Sequence, residues 1–173
     1  MPAVAREAET LRIPSMLEFY HAKYATPFAT LGIRTVGDRV SDIDYLPRGV
    51  ASLAPLNTLA ERACRELERY LDDPEHVIDL PFEYSGTMFQ CKVWRQISAI
   101  PPGRTLTYTD VARALKTAPR PVGGACGANR IPIVIPCHRV LAANGIGGFM
   151  RGAGEQGLRI KRWLLRHEGI SVT

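Results

Sequence analysis

Residues 16–47 carry apolar, aromatic and β-branched positions in three short runs, LEFYHAKYA, TPFATLGIRTV and RVSDIDYL, broken at Gly37-Asp38 and closed by Pro47. Runs of this length between turn residues predict a small antiparallel sheet. The period then changes. Leu56, Leu59, Ala60, Ala63, Cys64, Leu67 and Tyr70 recur at helical spacing, with Thr58-x-x-Glu61 read as a capping box and Asp72-Asp73-Pro74 as the stop. This helix is expected to cover one face of the sheet, and Cys64, on its apolar stripe, is assigned to packing. VIDLPFEYSG (77–86) reads as a short strand and a loop that links two parts of the chain.

Beyond residue 86 the pattern is of short helices and tight loops. Met88, Val93, Trp94, Ile97 and Ile100 predict a helix stopped by Pro101-Pro102-Gly103, and Thr107 to Asp110 starts a second one through Val111, Ala112 and Leu115. Pro119 to Asn129 offers a third, containing three glycines. Two short helices joined by a tight turn are compatible with helix-turn-helix, and glycines allow a helix to approach a groove closely. Ile131 to Ile135 is an apolar run, after which Pro136 forces an extended approach to Cys137-His138-Arg139-Val140. A loop with five glycines (145–154) precedes a last helix, Gln156 to His167, with Ile160, Trp163, Leu164 and His167 on one stripe and Gly169 as its cap.

Composition adds one asymmetry. The 173 residues carry a formal charge of +5, but residues 1–85 hold nine Lys and Arg against fourteen Asp and Glu, a net −5, while residues 86–173 hold thirteen against three, a net +10. A basic segment of that density points to a polyanion or to a solvated basic surface. The expected organisation is therefore two domains, an acidic α/β scaffold (1–85) and a basic, mainly helical reactive domain (86–173). No apolar run approaches the roughly 18 residues of a membrane span, and Glu7 and Glu9 stand where a secretory leader needs a basic start and an apolar core. A cytoplasmic, monomeric protein without membrane contact is expected. Cys64, Cys91, Cys126 and Cys137 form no CxxC pair, and His21 and His76 do not group with them at ligand spacing, so no metal site is predicted.

Cys137 next to His138 has two readings, a buried inert thiol or a thiolate activated by an imidazole. At the ordinary thiol pKa only about 3% is ionised at neutral pH, so full ionisation raises the reactive fraction about 30-fold, worth about 2 kcal/mol. Positioning and leaving-group stabilisation must supply the rest of any difficult transfer.

IPIVIPCHRV (131–140), with RPVGG (120–124) and Asn129 before it and GGF (147–149) and KRWLLRHEG (161–169) after it, resembles the O(6)-alkylguanine-DNA alkyltransferases, also called methylated-DNA-protein-cysteine methyltransferases. The resemblance begins at FQCKVWRQISAIPPG (89–103), covers the basic half and extends more weakly through the acidic half, for which it implies a ribonuclease H-like sheet and helix. It implies that Cys137 accepts the alkyl group in an in-line displacement, that His138 acts as general base through a bridging water, and that Glu168 orients the imidazole. Tyr108 would donate a proton to guanine N3, and Asn129 would stabilise the turn between the recognition helix and the active-site strand, touching the pocket only through that turn. Arg120 would enter the duplex as the flipped nucleotide leaves. Gly123, Gly124 and Ala125 would lie in the minor groove, where close approach is allowed and base identity is poorly readable. Arg130, where the family often has proline, and Arg139 are assigned to DNA. Pro136, Gly147, Gly148 and Phe149 are assigned to the substrate pocket. After GGF the chain reads MRGAGEQGLRIKR, longer and bulkier than the family's turn, so Met150 and Arg151 either narrow the pocket or widen its rim. Cys126 and Cys91 receive no catalytic part.

The implied function is direct, once-only repair of O(6)-alkylguanine, and of O(4)-alkylthymine, in double-stranded DNA, with no cofactor because the protein is the acceptor. Competing readings are a non-catalytic module that binds alkylated bases, which carries tryptophan at the acceptor position, a cysteine hydrolase built on Cys-His-Glu, and a helix-turn-helix regulator.

Overall fold

The structure is a computed structural model and describes residues 19–150 and 153–172. The acidic half forms an antiparallel three-stranded sheet, β1 (Ala22–Ala25), β2 (Thr30–Val36) and β3 (Arg39–Leu46), in sequential order. Ala22 pairs with Ile33 and Ile33 with Ile43, and a register irregularity falls at Arg34/Thr35. β2 is buried along nearly its whole length because both faces are covered. Helix α1 (Thr58–Asp72) packs on the sheet and buries Ala60, Ala63, Leu67 and Tyr70, while a Cβ on Gly32 would stand 2.5 Å from the Tyr20 ring. Only glycine permits that approach.

The N-cap of α1 is Asn57, whose side chain accepts the Ala60 N–H; Thr58 is the first helical residue, so the expected Thr58–Glu61 box does not form. The 77–86 segment joins the sheet through one bridge, Phe82 to Val40, and forms no strand of its own.

The basic half contains α2 (Met88–Ser98), α3 (Tyr108–Ala114), α4 (Pro119–Gly127) and α5 (Gly154–His167). Capping boxes at Thr87/Gln90 and Thr107/Asp110 start α2 and α3. Gly169, at φ +78°, ends α5, with its N–H on the Arg166 carbonyl and that of Ile170 on Leu165. This double bond pattern is the Schellman ending that glycine supports. Trp94 Nε1 donates to the Ala125 carbonyl at 2.9 Å and locks α2 onto α4.

Two two-residue strands, β4 (Leu106–Thr107) and β5 (Val140–Leu141), pair in parallel. They place the start of α3 beside the turn that carries Cys137. The Ile131–Ile135 run is not a strand. Pro132 and Pro136 lack the N–H groups a ladder needs, and the segment folds back on itself through a Pro132–Ile135 bridge into a one-turn 3₁₀ helix, Cys137–Arg139.

One buried apolar cluster runs through both halves, from Ala22 and Leu67 to Val93, Cys137 and Leu164. Among the described residues no helix is long and apolar enough to cross a membrane.

Candidate active site around Cys137

Cys137 sits at the floor of a cavity of about 620 Å³ walled by Tyr108, Arg120, Gly123, Cys126, Gly148 and Phe149. That volume is in the range of small-ligand pockets. The thiol is 6% exposed. Burial pushes its pKa up; the Asn129 amide, the Lys161 ammonium and the backbone N–H groups of Cys137 and His138 act in the opposite direction.

Asn129 Nδ2 lies 3.2 Å from Cys137 Sγ and 2.8 Å from the Ile135 carbonyl, and its Oδ1 accepts the Ile131 N–H. The expectation that Asn129 acts on the pocket only through its turn is thus corrected. The turn folds tightly enough around the two prolines to bring the amide onto the sulfur.

His138 is fully buried, and its Nε2 is 2.8 Å from Glu168 Oε1. An ionised carboxylate only accepts, so Nε2 carries the proton and Nδ1 holds a lone pair. Nδ1 meets no hydrogen-bond partner among the described residues. Burial lowers the imidazole pKa, with the nearby Arg139 and Lys161 cations acting in the same sense and Glu168 opposing them.

Glu168, at the C-cap of α5, is buried and receives Arg139 Nε and Nη2 at 2.9 Å, the Tyr70 hydroxyl at 2.7 Å and the Gly103 N–H at 3.4 Å. Burial alone would raise its pKa, but the hydrogen bonds and charges of His138 and Arg139 hold it well below the usual carboxylate range.

Arg139 is therefore not placed for DNA. It is 7% exposed, paired with Glu168 and bonded to the Ile100 carbonyl at 2.6 Å. Arg130 keeps an exposed side chain, yet its guanidinium is bonded to Asp42 of β3 at 2.6 and 2.8 Å, so its first partner is the acidic half rather than a phosphate. Ala125 is buried with its carbonyl on Trp94, which removes it from the outer face of α4. Gly123 lines the cavity, and Gly124 has open space where a Cβ would stand. Pro136 is buried on the far side of the turn, in a separate void of about 50 Å³ with Tyr70 and Arg139, and does not line the main cavity.

Tyr108 donates its hydroxyl to the Gly148 carbonyl at 3.1 Å, and burial raises its pKa. A Cβ on Gly147, at φ +72°, would stand 2.9 Å from the Tyr108 ring, so glycine is required for this wall to close on Tyr108. Phe149 and Met150 line both the main cavity and a second one of about 350 Å³ that reaches Cys137 from the β3 side, past Tyr45. Arg151 lies outside the described residues. Cys126 faces both cavities, its thiol pushed up to about 12 by burial and by Cys137. The Cys91 thiol lies 3.2 Å from the Tyr84 carbonyl. No group of three His, Cys, Asp or Glu side chains fit to hold a metal occurs among the described residues.

Two further residues of the site stand outside the set predicted from the sequence. Lys161 is 0% exposed, donates to the Val140 and Gly148 carbonyls at 2.7 and 2.9 Å, and stands 5.6 Å from the Tyr108 ring centre. Burial lowers its pKa to about 8. Its signal is present in the sequence, since 157, 160, 161, 164, 165 and 168 are the buried stripe of α5 and Lys161 falls on it. Tyr70, from α1, carries no such signal, because the helix period predicts that its ring is buried and says nothing of where the hydroxyl ends.

Residues 88–170 match the family model described as 6-O-methylguanine DNA methyltransferase, DNA binding domain. A Candida albicans methylated-DNA-protein-cysteine methyltransferase is 35% identical over 84% of this chain and 85% of its own length. A probable methylated-DNA-protein-cysteine methyltransferase of Acanthamoeba polyphaga mimivirus is 48% identical over 54% of this chain, which spans 61% of that protein. Among solved structures, Mycobacterium tuberculosis OGT in complex with DNA superposes with a TM-score of 0.71 at 29% identity, over 84% of this chain and 90% of that one.

Proposed function

The chain belongs to the methylated-DNA-protein-cysteine methyltransferase family, and we propose that it repairs DNA by moving the alkyl group of O(6)-alkylguanine, or of O(4)-alkylthymine, onto Cys137, once per molecule. The observation that carries this reading is the pairing of a thiol at the floor of a base-sized cavity with a fully buried His138 next to it, whose Nε2 lies 2.8 Å from Glu168 Oε1.

In the proposed reaction His138 Nδ1 takes the Cys137 proton through one bridging water, and the thiolate attacks the alkyl carbon. The S–C bond forms as the C–O bond breaks, and the electron pair leaves on O(6) of the guanine. Tyr108 gives its hydroxyl proton to N3 and turns the departing anion into neutral guanine. It must first release the Gly148 carbonyl, whose second donor is Lys161. The product is a thioether, which has no route back, so each molecule acts once.

A base in a duplex cannot reach a thiol that is 6% exposed. The nucleotide must therefore be flipped, at a cost of a few kcal/mol, offset by phosphate contacts and by Arg120 filling the gap. We assign α3 and α4 to a helix-turn-helix whose second helix enters the minor groove with Gly123 and Gly124 at its surface, and the sheet with α1 to a ribonuclease H-like scaffold. Residues 1–85 then support and residues 86–173 react, in a monomer on double-stranded DNA. A binding module without transfer is disfavoured because a cysteine stands at the acceptor position.

Mass spectrometry after mixing with an O(6)-methylguanine oligonucleotide tests the proposal. The expected result is one methyl group on the tryptic peptide 131–139 and no turnover beyond one equivalent. Tight binding with Cys137 unmodified would establish the binding module instead, and multiple turnover a hydrolase.

A further inference from the structure

Tyr70 stands near the end of α1, in the acidic half, 98 residues from Glu168, yet its hydroxyl donates to Glu168 Oε1 at 2.7 Å. The same oxygen accepts His138 Nε2 at 2.8 Å and Arg139 Nη2 at 2.9 Å. The tyrosine is clamped at both ends. Its carbonyl is 2.7 Å from His167 Nε2, and the His167 ring meets the Tyr70 ring edge-on at 5.1 Å while stacking on Trp163. Carbonyl and hydroxyl therefore meet consecutive residues of α5, and the ring is 1% exposed.

We propose that Tyr70 is a positioning residue for the transfer reaction: its hydroxyl shares the charge of Glu168, so that the carboxylate orients His138 without drawing a second proton onto it. A lone buried carboxylate facing an imidazole favours imidazolium, which cannot accept a proton from a thiol. The groups that face His138 are Glu168 and Lys161 from α5, Arg139 and Cys137 from its own turn and, through Glu168, Tyr70 from α1. Arg139 and Tyr70 both draw charge from the carboxylate, Tyr70 with a neutral donor that adds no cation to a crowded site. This role rests on the reading of His138 as proton acceptor, and it gives the acidic half a direct part in the chemistry.

The test is Tyr70→Phe in the full-length protein, followed by single-turnover methyl transfer from pH 5 to 9 and by an NMR titration of the His138 ring nitrogens. The midpoint of the acid limb is expected to rise by about one pH unit, so the rate falls roughly tenfold on the acid side and little at pH 8. The His138 titration should move in parallel. A profile identical to wild type, or a loss uniform across pH, would mean that Tyr70 only packs. Should Tyr70→Phe fail to fold, difluorotyrosine placed at position 70, a stronger donor of nearly the same shape, should move the His138 titration to lower pH; an unmoved titration overturns the proposal. The NMR reading does not need methyl transfer, so failure of the wild-type protein to transfer would remove the proposed function and leave the Tyr70 contact separately tested.

Discussion

Asn129 donates to the Cys137 sulfur at 3.2 Å with the same amide nitrogen that holds the Ile135 carbonyl at 2.8 Å. One side chain thus sets the shape of the turn and the environment of its thiol. Asn129→Asp keeps the outline of the side chain, removes the N–H groups that hold the Ile135 carbonyl and the sulfur, and brings a negative charge to both. The Cys137 pKa is expected to rise by about one unit or more. Alkylation by iodoacetamide at pH 7.5 should slow about tenfold at Cys137, read on peptide 131–139, with methyl transfer slowed in step.

Glu168 ties stability to pH. Its folded pKa lies well below the unfolded value near 4.5, so its contribution is present above that value and is lost as pH falls through the lower folded one. Glu168→Gln should remove this acid dependence in urea unfolding between pH 7 and pH 3. It should also cost about 3–5 kcal/mol at neutral pH, because Arg139 is left buried without its partner.

Lys161 gives a slope of the same sign in the alkaline range. With a folded pKa of about 8 against 10.5 unfolded, the protonated amine is disfavoured in the fold, so stability should rise as pH goes from 8 to 10.5. Lys161→Met should flatten that rise. It also leaves the Gly148 carbonyl with Tyr108 alone, and faster amide exchange at residues 147–149 is expected.

Arg120 and Arg139 should separate in DNA binding. Arg120→Ala is expected to lower the salt dependence of binding by about one counterion and to weaken nucleotide flipping, measured with a fluorescent base analogue opposite the gap. Arg139→Ala should leave the salt slope of the folded protein unchanged and appear instead as a large loss in unfolding free energy, about 3–5 kcal/mol, since it strips Glu168 of its cation.

Arg130 and Asp42 join the halves through a 2.6 Å ion pair, beside a backbone bond from Ile43 to the Arg130 carbonyl. The Asp42 side chain is nearly buried and that of Arg130 exposed, so a double-mutant cycle with Arg130→Gln and Asp42→Asn should return a coupling of about 1 kcal/mol.

The chain order of residues already determined much of this protein. Short apolar runs and helical spacing, with Gly37, Pro74, Pro101 and Gly169 as punctuation, mark the sheet and the helices, because local backbone preference and turn chemistry decide them. Cys137 and His138 are neighbours in sequence, Pro136 turns the chain into them, and the Gly-Gly-Phe wall follows within a dozen residues, so the proposed reactive centre is legible as a string. What the tertiary structure decided is direction. Charge counts place Arg120, Arg130 and Arg139 in one basic half, but only packing turns Arg139 inward to Glu168 and ties Arg130 to Asp42. Side-chain identity supplies a guanidinium, and the position of the nearest carboxylate, 29 or 88 residues away, chooses its partner. The Tyr70–Glu168 bond is of the same kind. It exists because the end of α1 meets the end of α5, where the Tyr70 and His167 rings pack edge-on, and a contact across 98 residues has no local period to announce it.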